Sequence, residues 1–170
     1  MKAILISIKP KYVAKILNGE KTIEIRKTMP KCDLPIDVYI YCTKGEERLV
    51  DLRDDSFYCG ISKRLNGKVV AKFTLNKVEK FDVRLGHPRI YCKAYVSDTE
   101  LLENHYHNKD YNAYAWHIDE LVIFDEPKEL SEFYHYVKYN KEMARLNKQD
   151  WDFCPLTKAP QSWCYVEELK

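Results

Sequence analysis

Apolar and polar residues are arranged along this chain in a pattern that predicts short strands and few helices. Residues 2–8 are apolar on both faces, as in a strand that is buried on both sides. Apolar residues then recur at helical spacing over residues 10–18, which predicts a helix. It is expected to stop at Gly19, since glycine suits a left-handed cap. From Thr22 the period changes to two, which predicts a second strand that ends by Pro30.

Further strands are indicated by alternation and by β-branched and aromatic residues. Residues 36–43 and 67–78 alternate apolar with more polar side chains. Residues 116–124 are predicted to form another single strand, closed by Pro127, and residues 162–169 are predicted to form a closing strand. The chain therefore has the pattern of a sheet-rich domain.

The segments between these strands are of two kinds. Residues 44–66 are charged and irregular, and residues 84–112 contain a long polar run, so loops or short helices are predicted for both. Residues 130–147 lack proline and glycine and show apolar residues at helical spacing, which predicts a helix. No repeat and no internal boundary is seen, so residues 1–170 are predicted to form one mixed α+β domain with a small barrel or curled sheet.

Composition narrows the class of protein. A chain of 170 residues can bury about 70% of its unfolded surface, so it needs no disulfide or metal to fold. Its six cysteines contain no C-x-x-C pair, which favours reduced thiols in a cytosolic protein over a zinc ribbon. No long apolar segment is present, so we expect a cytoplasmic protein with no membrane span and no export signal.

Charge is distributed unevenly. Residues 1–31 hold eight Lys or Arg and two Glu, while the whole chain has a net charge of only +2. This basic N-terminal part is compatible with an anionic partner, and equally with a solvated basic surface.

The run from Ile8 to Lys27, "IKPKYVAKILNGEKTIEIRK", together with the later "VYIYCT" and "YAWHI", resembles the ASCH domain of the PUA-like superfamily. The marker is G-x-K-x-x-E-x-R, matched by Gly19, Lys21, Glu24 and Arg26. The resemblance extends from Ile4 to about Val166. In this resemblance, residues 44–66 and 130–147 are expected to be elaborations of the core.

What the resemblance implies is a PUA-like small β-barrel with flanking helices and a cleft, lined by the marker residues, that binds RNA or a modified nucleoside. One branch of the superfamily deacetylates N4-acetylcytidine with a lysine at the position of Lys21, a threonine at that of Glu24 and a separate glutamate. Here the threonine position holds a glutamate. An amidohydrolase using Lys21 and Glu24 is therefore the alternative, and a protein-interaction domain is a third.

The residues themselves allow the same interpretation. Alternation places Thr22, Glu24 and Arg26 on one strand face, where a carboxylate can accept from a base and a guanidinium can donate to a phosphate or carbonyl. Lys21 precedes the alternation and is predicted to reach the mouth of the same site. The competing interpretation is a solvent-facing row of ion pairs on an edge strand.

Aromatic and basic residues elsewhere supply further candidates. Trp116 is predicted to form a wall of the site by base stacking, with Tyr41 and Thr43 as weaker candidates. Gln161 and Trp163 can read and stack a base, or can attach the C-terminal strand to the barrel.

The predicted late helix carries a stripe of basic residues that can either contact a phosphate backbone or be the solvent-exposed face of the helix. The stripe comprises Lys138, Lys141, Arg145 and Lys148. His105 and His107 lack a third ligand of clear spacing, so neither a metal nor any other cofactor is expected. The oligomeric state is left open.

Overall fold

The computed structural model describes residues 1–45, 48–49, 64–105, 111–136 and 155–169. It contains eight strands in two sheets, three α-helices and two short 3-10 turns within those residues. The strands are β1 (Lys2–Ile8), β2 (Ile23–Arg26), β3 (Ile36–Cys42), β4 (Val69–Leu75), β5 (Val78–Asp82), β6 (Asn112–His117), β7 (Asp119–Lys128) and β8 (Trp163–Glu167). The helices are α1 (Pro10–Leu17), α2 (Pro88–Ala94) and α3 (Asp98–His105), and the 3-10 turns are Val83–Leu85 and Leu130–Glu132. The predicted mixed α+β class is confirmed.

A five-stranded sheet has the order β7-β4-β3-β1-β8, and a three-stranded sheet has the order β2-β6-β5. The β1 and β3 strands are parallel and α1 lies in the connection between them, whereas the other pairs are antiparallel. Closure of the two sheets into a barrel, which the sequence resemblance predicted, is not seen in the described part of the chain and stays a prediction.

Two bent ribbons join the sheets. The β4 strand continues into β5 across Asn76 and Lys77, and β6 continues into β7 across Ile118, so each ribbon contributes one strand to each sheet. The prediction of one strand over residues 116–124 was wrong, because β6 ends at His117 and β7 begins at Asp119, with Glu120 at a positive φ of 48°. A corner of this kind lets two sheets share the same core.

Alternation along β1 divides its side chains between two clusters. Ile4, Ile6 and Ile8 point into the main core, which also receives α1 and Trp116 from the three-stranded sheet. Ala3 and Leu5 point to the opposite face of the five-stranded sheet. A strand that is apolar on both faces is therefore covered on both faces, as its sequence predicted.

A third cluster covers the outer face of the three-stranded sheet. Ile23 of β2 packs there with Tyr91 and Ala94 of α2 and Leu101 of α3. The outer face of β2 is thus apolar, and its charged face is turned toward the five-stranded sheet.

The predicted helix at residues 130–147 was wrong over the part that is described. Residues 130–132 form a single 3-10 turn, and Tyr134 and His135 then form isolated bridges to Pro155 and Val166. Phe133 is fully buried beneath the five-stranded sheet. The remainder of that segment, with the basic stripe of Lys138, Lys141, Arg145 and Lys148, lies outside the described residues, as does most of the predicted loop at 44–66.

Candidate functional site

The turn after α1 places Lys21 just before the strand β2, in the three-stranded sheet. Gly19 adopts a positive φ of 74°, and the backbone N–H groups of Glu20 and Lys21 then donate to the Lys15 carbonyl. This turn satisfies carbonyl groups of the last helical residues and directs the chain inward. The Lys21 side chain is only 2% exposed, so it does not reach an open mouth as the sequence pattern predicted.

The Lys21 ammonium group is fully engaged. Its Nζ donates to the carbonyls of Ile23 at 2.8 Å and Ala94 at 2.5 Å and lies 3.1 Å from the Glu24 Oε2. The Ala94 carbonyl belongs to the last residue of α2, where the helix dipole favours a cation. Burial lowers the pKa of Lys21, and the Glu24 carboxylate opposes that shift.

Glu24 lies between two cations. Its Oε1 is 3.0 Å from the Arg26 Nη2 and its Oε2 contacts Lys21, while its side chain is 10% exposed. A carboxylate has about four lone-pair positions, so positions remain on Glu24 for another donor. The three charged side chains carry one net positive charge in a largely buried setting.

Arg26 connects the two sheets. Its Nη2 donates to the Ser7 carbonyl at 2.7 Å, and its Nη1 contacts the Ser162 Oγ at 3.4 Å. Ser7 lies on β1, and its N–H donates to the Ser162 carbonyl at 2.9 Å just before β8 begins. The Arg26 Nε is buried and has no hydrogen-bond partner within the described residues.

Trp116 lies directly opposite Glu24 in the β2–β6 ladder, so the two side chains share a face. The indole is fully buried, and its Nε1 also has no hydrogen-bond partner within the described residues. Its ring meets the Trp163 ring edge to face at 5.6 Å. Trp116 is therefore adjacent to the motif, as predicted, but as a buried wall and not as an exposed stacking surface.

Trp163 forms the outer side of this aromatic pair. It is half-buried, its Nε1 donates to the Thr28 Oγ1 at 3.0 Å, and its ring also contacts Tyr165 at 5.3 Å. The structure thus brings the C-terminal segment to the motif through Ser162 and Trp163. Gln161, also raised from the sequence, is exposed beside them.

Three predicted site residues do not join this group. Thr22 precedes β2 and is exposed, so it does not share the buried face of Glu24. Tyr41 is buried in the cluster on the opposite face of the five-stranded sheet. Thr43 follows β3, and its carbonyl accepts from the Asn66 Nδ2 at 3.3 Å.

The acceptors contributed by Ser7 and Ala94 were missed by sequence reasoning. Both are main-chain carbonyls, which leave no side-chain signal. No group of three or more potential metal ligands occurs among the described residues; His105 and His107 lack described side chains. Over the same part of the chain, every helix is too short and too polar to cross a membrane.

The fold, two sheets joined by bent ribbons with a buried Lys-Glu-Arg group at their junction, is similar to that of solved ASCH structures. This chain is similar to the solved structure of ASCH from Zymomonas mobilis, with a TM-score of 0.60 at 20% identity, over 98% of this chain and 88% of that one. It is also similar to a tyrosine-to-phenylalanine variant of that protein, with a TM-score of 0.59 at 19% identity, over 99% and 92% of the two chains.

A serine-to-alanine variant of the Zymomonas mobilis protein matches with a TM-score of 0.59 at 17% identity, over 98% of this chain and 89% of that one. No protein-family model matches the chain, and no curated protein matches it by sequence. At these identities the likeness shows the fold, and it supports the ASCH-family relationship that the motif indicated.

Proposed function

We propose that this chain binds RNA or a modified nucleoside at the group formed by Glu24, Arg26 and Trp116. The observation that carries the proposal is a pair of buried N–H donors, the Arg26 Nε and the Trp116 Nε1, that lack acceptors within the described residues. Buried donors without partners are costly, at about 1–3 kcal/mol each, and are found at sites where something else accepts from them.

The register makes Arg26 and Trp116 near neighbours in the sheet. Arg26 lies opposite Tyr114 and Glu24 lies opposite Trp116, so Arg26 and Trp116 are diagonal neighbours on one face. Diagonal neighbours in an antiparallel pair are about 7–8 Å apart. That spacing suits a planar heterocycle held between two side chains.

The hydrogen-bond donors and acceptors of this group complement those of a nucleobase. Two N–H donors complement carbonyl or ring-nitrogen acceptors, and the free lone pairs of Glu24 complement an exocyclic amine or its acylated form. The net positive charge of the Lys21, Glu24 and Arg26 group favours an electron-rich base edge or a neighbouring phosphate. Cytidine derivatives present both acceptors and an exocyclic N–H on one edge.

The test is direct titration of the purified protein with cytidine, N4-acetylcytidine, uridine and short single-stranded RNA. The Arg26→Lys variant keeps the charge and removes the Nε donor and the planar fork, and we expect it to weaken binding about tenfold or more. Arg84→Lys is the matched control, because Arg84 lies on an exposed 3-10 turn and pairs with Asp82. Equal affinities of Arg26→Lys and the unmodified protein would refute the proposal.

An amidohydrolase is a second proposal, and the lowered pKa of the buried Lys21 amine supports it. Such an enzyme adds water across the amide bond of an acylated nucleoside and releases a carboxylic acid and the free amine. Lys21 would act as the base and Glu24, 3.1 Å away, would relay the proton. The three acceptors around the Lys21 Nζ argue against it, since they hold the ammonium form.

Mass spectrometry of the titrated samples separates these possibilities. Loss of an acyl group from N4-acetylcytidine, abolished in Lys21→Met, would identify the hydrolase. Binding without product would identify a binding site. No response to any nucleoside or RNA would instead favour the third possibility, a protein-interaction domain.

A further inference from the structure

A second candidate site lies on the opposite face of the five-stranded sheet. It is an open groove of about 570 Å³, here called the lysine groove. Its lining comprises Tyr41, Lys44, Gly67, Glu129, Leu130, Ser131, Leu156, Thr157, Lys158 and Ala159. The groove therefore collects side chains from four separate stretches of the chain, none of which belongs to the Lys21, Glu24 and Arg26 group.

Positive charge dominates the lysine groove. Glu129 is its acidic residue, and Lys68 forms an ion pair with that carboxylate from the β4 side. Lys44 and Lys158 are exposed and form no ion pair with any other described residue. Within the part of the chain that the structure describes, both ammonium groups are therefore left to face a ligand.

The lining also contains two residues whose hydroxyl groups can donate to phosphate, Ser131 and Thr157. Gly67 leaves room for the Lys44 stem, since a Cβ at position 67 would lie 3.2 Å from the Lys44 Cε. Ammonium and hydroxyl groups around an open groove are the usual contacts to the oxygens of a nucleic-acid backbone.

The groove is connected to the motif by one short segment. Thr157, Lys158 and Ala159 line the groove, and the chain then runs through Pro160 to Ser162. The Ser7 Oγ donates to the Pro160 carbonyl at 2.6 Å, and Ser162 contacts Arg26. Lys158 and Ser162 are four positions apart, a span of at most about 14 Å of extended chain.

From this continuity we infer that the lysine groove binds the phosphate backbone of a single-stranded RNA whose base occupies the site at Arg26. The inference rests on the proposed function and extends it, because it selects an RNA chain over a free nucleoside. A single strand fits better than a duplex, since a groove and a base site that lie on two faces of one sheet, joined by the 157–162 segment, require a flexible backbone with an unpaired base.

The experiment compares binding of a fluorescein-labelled single-stranded RNA of about 12 nucleotides with binding of free N4-acetylcytidine and cytidine. The double variant Lys44→Gln, Lys158→Gln removes both charges and keeps most of each side-chain stem. Lys93→Gln is the matched control, because Lys93 is exposed on α2, which packs on the outer face of the other sheet. Titrations at several salt concentrations give the slope of log K against log salt.

We expect the double variant to bind RNA more weakly than the Lys93→Gln control, with a salt slope that is shallower by about 1.4. Its affinity for the nucleosides should equal that of the unmodified protein. Unchanged RNA affinity and slope in the double variant would overturn the inference, as would an unmodified protein that binds nucleosides but not RNA. RNA binding that depends on both lysines and not on Arg26 would keep the groove and overturn the proposed function.

Discussion

Arg26 on β2 donates to the backbone carbonyl of Ser7 on β1 at 2.7 Å, and this hydrogen bond joins the two sheets at the motif. The contact explains why a short strand carries alternating charges on the face that is turned toward the other sheet. Those charges are not a solvated row, since the exposed fractions of the Lys21, Glu24 and Arg26 side chains are 2%, 10% and 13%. Substitutions here should therefore alter stability as well as binding.

Glu24→Gln is expected to destabilise the fold by about 3 kcal/mol, because it leaves the buried Lys21 ammonium without its counter-charge. This differs from the small effect that an exposed motif would show. Urea unfolding followed by circular dichroism measures the free energy of unfolding. Glu20→Gln is the control, since its ion pair with Lys15 lies at the surface and should change stability by less than about 0.5 kcal/mol. Equal effects of the two variants would contradict the buried pair.

Ser7→Ala is expected to cost about 1 kcal/mol, because the Ser7 Oγ of this buried residue donates a part-buried hydrogen bond to the Pro160 carbonyl. The same unfolding assay applies. Thr74→Ala removes a hydroxyl that donates to Glu120 at the surface, and it serves as the comparison with a loss below about 0.5 kcal/mol. If the Ser7→Ala and Thr74→Ala proteins are equally stable, the Ser7 hydroxyl does not hold the segment before β8.

The pKa of Asp82 is lowered from 3.8 to about 2 by hydrogen bonds from the Arg84 side chain and backbone N–H. A carboxyl group with a lowered pKa in the folded state stabilises that state above pH 3.8, and the contribution is lost as the pH falls toward 2. Arg84→Gln should move the pKa of Asp82 up toward 3.8, as read from the side-chain carboxyl carbon by NMR. Arg89→Gln should leave it in place. A pKa that does not move would exclude the Arg84 side chain as the cause.

Burial raises the pKa of the Cys42 thiol to about 12, and Cys92 is exposed on α2. We expect iodoacetamide at a pH of about 8.5 to alkylate Cys92 in the folded protein and to leave Cys42 unmodified until urea is added. Peptide mass spectrometry identifies the modified residue. Alkylation of Cys42 at the rate of Cys92 without denaturant would mean that β3 opens readily.

The hydrophobic period and the positions of glycine and proline were sufficient to predict the strands and the helix near the N-terminus. Residues 2–8 and 36–43 and the helix that stops at Gly19 are found where the pattern placed them. A period of two also divided β2 into an Ile23 face and a Glu24 face. It carried no information on which face is covered by helices, because that depends on where α2 and α3 pack.

Other features depend on tertiary contacts that no local pattern records. The strand is interrupted at Ile118, between β6 and β7, where the Ile118 N–H donates to the carbonyl of Thr22, which is distant in sequence. The apolar spacing over residues 130–137 resembles a helix, but Phe133 is used to cover the five-stranded sheet instead. The sequence placed Lys21, Glu24 and Arg26 in one group, and the structure brings their side chains into contact, whereas their burial and their main-chain acceptors required the fold.

The edge-to-face contact of Trp116 and Trp163 gives this protein an optical property. Indole emission depends on the polarity and the hydrogen bonding around the ring. The Trp163 N–H is bonded to Thr28, whereas the Trp116 N–H has no acceptor among the residues that the structure describes. The remaining tryptophan, Trp151, can be replaced by phenylalanine to remove its background. The paired rings would then report occupancy at Arg26 through their own fluorescence, without a label on protein or ligand.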